Sequence, residues 1–280
     1  MPSNLPATIH TRPPLTDRGS DPLAGVSVSA RDGSVFAVTR ALSTGEAVLD
    51  TATFTAASSD PAANPWLSWD YVKHNWSDIA RALEQHTTLT VQAVLIACVI
   101  AVPLGMLAHL RPRLAAPIVG TTGVLYTIPS LALFTVLVPW TGIGRTSVLI
   151  GLVVYALLVL VRNVLVGLAG VDESVRDAGR GLGYGRIRLL LTVELPNALP
   201  AIIAGIRLAT VTTVALVTVG VVVGYGGLGQ LMFRGFRNNK YHAEILTATL
   251  LCLALALVLD LLLWGVGRAV TPWARRGREA

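Results

Sequence analysis

Charge is what this sequence has least of. Only 14 % of its residues are charged, against 53 % that are hydrophobic; a soluble domain carries about 25 % charged residues. The deficit excludes an ordinary water-facing surface and points to a bilayer, where charge is costly and apolar length is required. Cysteine is scarce too: Cys98 and Cys252 both lie inside apolar runs and read as small buried hydrophobes. There is no C-x-x-C, and His10, His74, His86, His109 and His242 are scattered. Neither a disulfide framework nor a metal site follows from such spacing. The formal net charge is +6 without any block of Lys and Arg. That argues against a nucleic-acid partner and for arginines at membrane edges, in contact with lipid. No G-x-x-x-x-G-K-S/T occurs, so no phosphate-cradling loop is present and no cofactor is expected on this chain.

What is present falls into four parts. Residues 1–64 are rich in Ser, Thr, Ala, Asp and Pro, with no long apolar run. Such a stretch cannot bury enough surface to offset its ordering entropy, so it reads as a disordered tail. It lacks the features of a signal peptide, and a true start downstream of Met1 stays open. Residues 65–86 place Trp69, Val72, Trp76, Ile79 and Leu83 on one helical face, opposite Asp70, Lys73, Asp78 and Arg81. That pattern predicts an amphipathic helix lying in the membrane interface. Residues 87–270 then hold about five apolar stretches of spanning length: 87–110, 115–140 (interrupted by Pro129), 147–168, 198–223 and 245–266. Each approaches or exceeds the ~20 residues that cross ~30 Å of hydrocarbon. Residues 271–280 form a basic tail. The fold class is all-α and membrane-spanning.

Arginine placement sets the expected orientation. One side carries Arg111, Arg113, Arg176, Arg180, Arg186, Arg188, Arg268, Arg275, Arg276 and Arg278; the other carries Lys73, Arg81, Arg145, Arg234, Arg237 and Lys240. The richer side is the cytoplasmic one. The N-terminus is then outside and the C-terminus on the cytoplasmic side of the cell membrane.

Gly224, Gly226 and Gly229 spell G-x-G-x-x-G. The dinucleotide reading needs a preceding strand and a later acidic ribose partner. Here the glycines follow a long apolar helix instead, and read as a helix break where irregular backbone is covered by protein or a water-filled path. The following stretch to His242 reads as a polar and aromatic connector. Tyr126, Thr127 and Ser130 flank Pro129 at a second break. With Gly224, Gly226, Gly227 and Gly229 they are candidates for bordering a translocation path. Asp260 and Arg207 sit at similar depths, about 12 Å and 13–14 Å from the arginine-rich end at ~1.5 Å per residue. A lone acid there is costly, so an ion pair between them is expected, with Arg162 as an alternative partner.

The most informative polar segment is 171–209. Asp172 or Ser174 can cap a short helix, which the glycines at 181, 183 and 185 then loosen. A second short amphipathic helix follows, punctuated by Pro196 and Pro200 before the fourth span. The run Asp177-Ala178-Gly179, then Gly183, then Val193-x-Leu195-Pro196 resembles the E-A-A loop of permeases in ATP-binding-cassette importers. The spacing from Gly183 to Leu195-Pro196 matches; Asp replaces Glu, and Gly replaces the second Ala. "YTIPSLALF" from Tyr126, "GYGGLG" and "AGIRLA" are similar to the glycine betaine/carnitine/choline branch of that family, over roughly residues 66–270.

That resemblance implies a type I importer permease fold with a cytoplasmic coupling helix that docks on a separate ATPase subunit. The ATPase would bind ATP-Mg and supply the phosphate chemistry. Arg176, Asp177 and Arg180 would offer charged contacts there, with Ala178, Gly179 and Gly183 allowing close approach and Leu195-Pro196 closing the motif. A second permease subunit, identical or related, and a separate extracytoplasmic binding protein are the further partners implied. The cargo implied is a quaternary ammonium osmoprotectant; a D-methionine-type permease is the alternative. A secondary transporter would need coupling-ion groups within the spans and often an internal inverted repeat; acids in the spans are scarce and no repeat is visible. A scaffold or receptor, or a dinucleotide enzyme, has less support still.

Overall fold

The computed structural model describes residues 26–31, 35–40, 54–55 and 64–273, with side chains from 64 onward. The chain divides into two units, residues 1–63 and 64–280. In the first, β1 (Val26–Arg31), β2 (Val35–Arg40) and β3 (Phe54–Thr55) form an antiparallel sheet in the order β1-β2-β3. Val28 stands opposite Val38, and Val35 opposite Thr55. The alternation Val-Ser-Val-Ser in β1 is a strand period inside the segment read from sequence as a disordered tail. The remainder of that tail, and the basic end from 274, lie outside the described residues.

The second unit is helical: α1 (Trp69–His74), α2 (Trp76–Leu110), α3 (Pro112–Thr127), α4 (Ser130–Thr141), α5 (Arg145–Ala169), α6 (Glu173–Gly181), α7 (Arg186–Leu189), α8 (Leu195–Val219), α9 (Leu228–Arg237) and α10 (His242–Val270). A π-turn at Leu190–Glu194 joins α7 to α8, and a 3₁₀ turn at Gly220–Val223 ends α8. Four helical stretches are long and apolar enough to cross a membrane: 76–110, 145–169, 186–223 and 242–270. The pair α3 and α4, bent by 97° at the break, makes a fifth if counted as one span. The protein is a multi-pass membrane protein.

Three boundaries differ from the sequence reading. No separate interfacial helix spans 65–86. Asn75 caps α1 after six residues, and the amphipathic stretch continues as the first turns of the 35-residue α2. At ~1.5 Å per residue α2 is about 52 Å long, so it stands well clear of ~30 Å of hydrocarbon. The short helix expected before the fourth span is fused to it through the π-turn. Pro196 offers no N–H to the carbonyl four residues back, so the ladder shifts register there instead of breaking. The connector from Gln230 to His242 holds most of α9, whose apolar Leu228 and Leu231 are buried.

The core lies where α2, α5 and α8 meet. Ala93, Ala97 and Ala101 recur every four residues on α2, fully buried, against Val148, Leu152, Ala156 and Val161 of α5. Small residues let these backbones approach, which is how membrane helices gain packing without a hydrophobic drive. At Gly105 a Cβ would lie 2.4 Å from Val164 Cγ1, and at Gly151 the same distance from the Phe134 ring.

Candidate functional site

The loop that the sequence singles out is built as a rigid short helix. Asp172 caps α6, its Oδ1 accepting from the Ser174 N–H at 2.8 Å. Glu173 in the first turn accepts from Arg176 Nη1 at 3.0 Å and from Arg180 Nη1 at 2.8 Å. Arg180 Nη1 also donates to Asp177 Oδ1 at 2.7 Å. Hydrogen bonds from Arg180 and then Arg176 hold the Glu173 carboxyl below its ordinary pKa, and those from Ser174 do the same for Asp172. Gly183, at φ +80°, closes the helix. Its N–H donates to the Arg180 carbonyl, and the Tyr184 N–H reaches back to that of Gly179. That pair of bonds is a Schellman cap, which favours glycine at the left-handed position.

Two residues expected to face a partner face inward instead. Arg176 is 13 % exposed. Its Nη2 donates to the Leu168 carbonyl at the end of α5 at 2.6 Å. Its Nε lies 3.2 Å from Glu194 Oε1, an ion-pair distance without hydrogen-bond geometry. Glu194 is 7 % exposed and also meets His109 Nε2 of α2 at 2.9 Å. Arg176 thus ties α6 to α5, to the π-turn and, through Glu194, to α2. Gly179 is buried, with Leu189 Cδ1 where a Cβ would sit at 2.5 Å; it is small so that α6 can lie on α7. Leu195 and Pro196 are half-buried at the start of α8. Asp177, Ala178, Arg180 and Gly183 stay exposed, and Val175, Leu182 and Ile187 add an apolar surface beside them. Glu194 and His109 were not singled out in the sequence.

At the opposite end the glycine-rich break is tightly packed. Gly226, Gly227 and Gly229 are buried. A Cβ on Gly226 would lie 2.6 Å from the Val221 nitrogen, one on Gly227 2.9 Å from the His86 backbone, and one on Gly229 2.4 Å from the Thr218 carbonyl oxygen. These three are close-approach glycines and do not line an open path; Gly224, at φ +78°, is exposed. Their seat is His86, fully buried on α2. Its Nδ1 accepts from the Leu228 N–H at 3.3 Å, and Nε2 donates to the Val214 carbonyl at 3.0 Å. Nearby, Arg234 Nε donates to the buried Glu244 at 2.5 Å and Nη1 to Asp78 at 3.2 Å. Tyr71 beside them is pushed up to about 12, mainly by burial.

Tyr126 and Thr127 are exposed at the α3–α4 break, and Ser130 is half-buried at the start of α4. The Tyr126 and Tyr155 rings meet edge to face at 5.6 Å; the Tyr155 hydroxyl donates to the Ile128 carbonyl. Arg207 grips Asp260 with both arms, Nε to Oδ1 at 2.8 Å and Nη2 to Oδ2 at 2.7 Å. Arg162 is exposed on α5 and does not join them. Among the described residues no group of His, Cys, Asp and Glu could hold a metal ion.

A helical membrane unit, a capped loop helix at the arginine-rich end and a glycine-packed break at the other agree with one comparison in particular. The family described as the binding-protein-dependent transport system inner membrane component matches residues 101–276. The chain belongs to that family. Among this permease's relatives, the carnitine transport permease protein OpuCB of Listeria monocytogenes is 38 % identical over 197 residues, covering 70 % of this chain and 89 % of the relative. The osmoprotectant import permease protein OsmW of Salmonella typhimurium is 38 % identical over 207 residues, covering 72 % and 96 %. In fold, the permease is similar to the MetNI methionine ABC transporter in an inward facing conformation. The TM-score is 0.66 at 23 % identity, over 73 % of this chain and all of that one.

Proposed function

We propose that this permease is the membrane subunit of an ATP-driven importer for a quaternary ammonium osmoprotectant such as glycine betaine, choline, carnitine or proline betaine. The solute would arrive on a separate binding protein. The names of the relatives at 38 % identity support that class, whereas the likeness to the methionine transporter is one of fold at 23 % identity. A second permease subunit completes the pathway. ATP-Mg sits on a separate ATPase, and the α6 end faces the cytoplasm. The arginine excess at that end supports this orientation.

The observation that carries the ATPase contact is the surface of α6. The helix is braced from inside by Arg176 and Gly179, yet Leu182 is 74 % and Ile187 66 % exposed beside Ala178. Exposed apolar side chains on a rigid helix outside the bilayer mark an interaction site. A push on α6 is carried to α5 and α2 through Arg176, Glu194 and His109. Gly183 serves the cap, so a bulky residue there would test the cap. Leu182→Asp tests the contact: ATP-coupled uptake should fall by about tenfold or more, as for a desolvated anchor lost from an interface, with normal permease levels in the membrane. Unchanged uptake would remove α6 from the ATPase interface.

A further inference from the structure

α2 and α3 meet at a tight turn on Arg111, and they leave a groove of about 400 Å³ between them. Leu104 and Leu107 line it from α2; Leu114, Pro117, Ile118 and Thr121 line it from α3. Thr122 also borders it, with its hydroxyl spent on the Ile118 carbonyl at 2.9 Å. Leu104 and Ile118 pack on the core as well, so the groove has a fixed floor. Its rim is open: Leu107 is 42 % and Leu114 38 % exposed. Leu104 lies seven residues before Arg111, and Thr121 seven after Leu114, so each wall is about 10 Å long at ~1.5 Å per residue. That is about two thirds of the ~15 Å of hydrocarbon in one leaflet.

The groove is closed at one end by arginine. The Arg111 N–H donates to the Leu107 carbonyl at 2.9 Å, and the Arg111 carbonyl accepts from the Leu114 N–H at 2.8 Å. Both rim leucines are thus bonded to its backbone. Arg111 continues the α2 wall at the spacing 104, 107, 111, and Arg113 continues the α3 wall at 113, 117, 121; such spacings keep side chains on one helical face. Both arginines are exposed, and neither has a hydrogen-bond or ion-pair partner among the described residues. They lie at the α6 end, since His109, two residues earlier, meets Glu194 of the π-turn. Glu194 itself is taken up by His109 and Arg176.

An apolar groove at the depth of hydrocarbon stays dry, and lining atoms without neighbours lose their packing contacts outright. A phospholipid supplies both missing parts. Its acyl chain suits the apolar walls, and its phosphate suits a guanidinium, which can bind phosphate by two parallel hydrogen bonds. A second copy of the chain applying this same surface across a two-fold axis would instead bring four arginines together, which like charge opposes.

We propose that the α2–α3 groove is a binding site for one anionic phospholipid of the leaflet at the α6 end, with an acyl chain in the groove and the phosphate on Arg111 and Arg113. A zwitterionic lipid carries its own cation beside the phosphate, so the two arginines favour a headgroup of net negative charge. The inference goes beyond the transport reading and does not rest on it.

The test uses the whole importer, purified in detergent and mixed with phosphatidylglycerol or phosphatidylcholine of the same acyl chains, each with a photoreactive group in one chain. After illumination the adducts are counted by intact mass and mapped by peptide. Phosphatidylglycerol should label residues 104–122 about tenfold or more above phosphatidylcholine, as two arginines beside an anionic headgroup imply. Arg111→Gln and Arg113→Gln should each cut that labelling about fivefold, with phosphatidylcholine labelling held within about twofold. Arg186→Gln removes an exposed arginine of α7 at the same end and should change neither. Leu107→Trp, which fills the groove, should lower labelling by both lipids. Equal labelling by the two lipids, labelling outside the groove, or an equal loss in Arg186→Gln overturns the site. So does a groove that neither lipid labels, the result expected if a second copy covers it in the assembled importer. No uptake is measured, so the outcome leaves the osmoprotectant reading where it stands.

Discussion

At the scale of single residues, the groups that matter most are polar ones held inside. The Arg207–Asp260 pair joins α8 to α10 by two hydrogen bonds, and α10 otherwise offers the bundle few buried side chains. Asp260→Asn and Arg207→Gln should each destabilise the permease, and the swapped double variant should recover part of the loss. The coupling should be about 1–2 kcal/mol, within the range seen for hydrogen bonds between membrane helices. Thermal melts in detergent check it, and strictly additive losses would count against a working pair. Glu173 makes a pH prediction. Its folded pKa lies below the ordinary 4.5 because Arg180 and Arg176 donate to it. The contribution of these bonds to α6 is therefore present above the ordinary value and fades as pH falls through the lower folded one. A carboxyl carbon titration in nanodiscs should place Glu173 below an exposed glutamate, and Arg180→Ala should move it up. The pair 207–260 was legible in the sequence because depth can be counted along an apolar run. Glu194, His109 and His86 were not, because nothing in a linear pattern shows that a polar residue will meet its partner from a helix 85 or 128 positions away.

At the scale of elements, apolar length identified the spanning helices and polar breaks located their ends, but continuity escaped the same reasoning. Pro196 reads locally as a stop, and the chain instead absorbs it with a π-turn. The stretch around Phe233 reads as a connector, yet burial of Leu228 and Leu231 draws it into α9. The glycines follow the same division. Their spacing alone suggests irregular backbone; that Gly229 lies against the Thr218 carbonyl is a tertiary fact. Gly229→Ala should therefore cost about 1–3 kcal/mol through overpacking. Gly265→Ala, mid-helix on α10 with open space around it, should gain roughly 0.5–1 kcal/mol from helix propensity. Melting temperatures of the two variants should move in opposite directions.

At the scale of the whole molecule, the architecture builds two distinct ends. The α6 end offers a braced helix with apolar side chains outward, and the α9 end closes the helix break over His86. The central claim is the proposed one, that a separate ATPase supplies the energy for uptake. The direct measurement is solute uptake by proteoliposomes holding the permease with its ATPase and binding protein, ATP sealed in with the nucleotide domains and no ion gradient imposed. Labelled glycine betaine should accumulate on the ATPase side only when ATP is present, and Leu182→Asp should abolish that accumulation. Accumulation that ignores ATP and follows an imposed sodium or proton gradient would contradict the account.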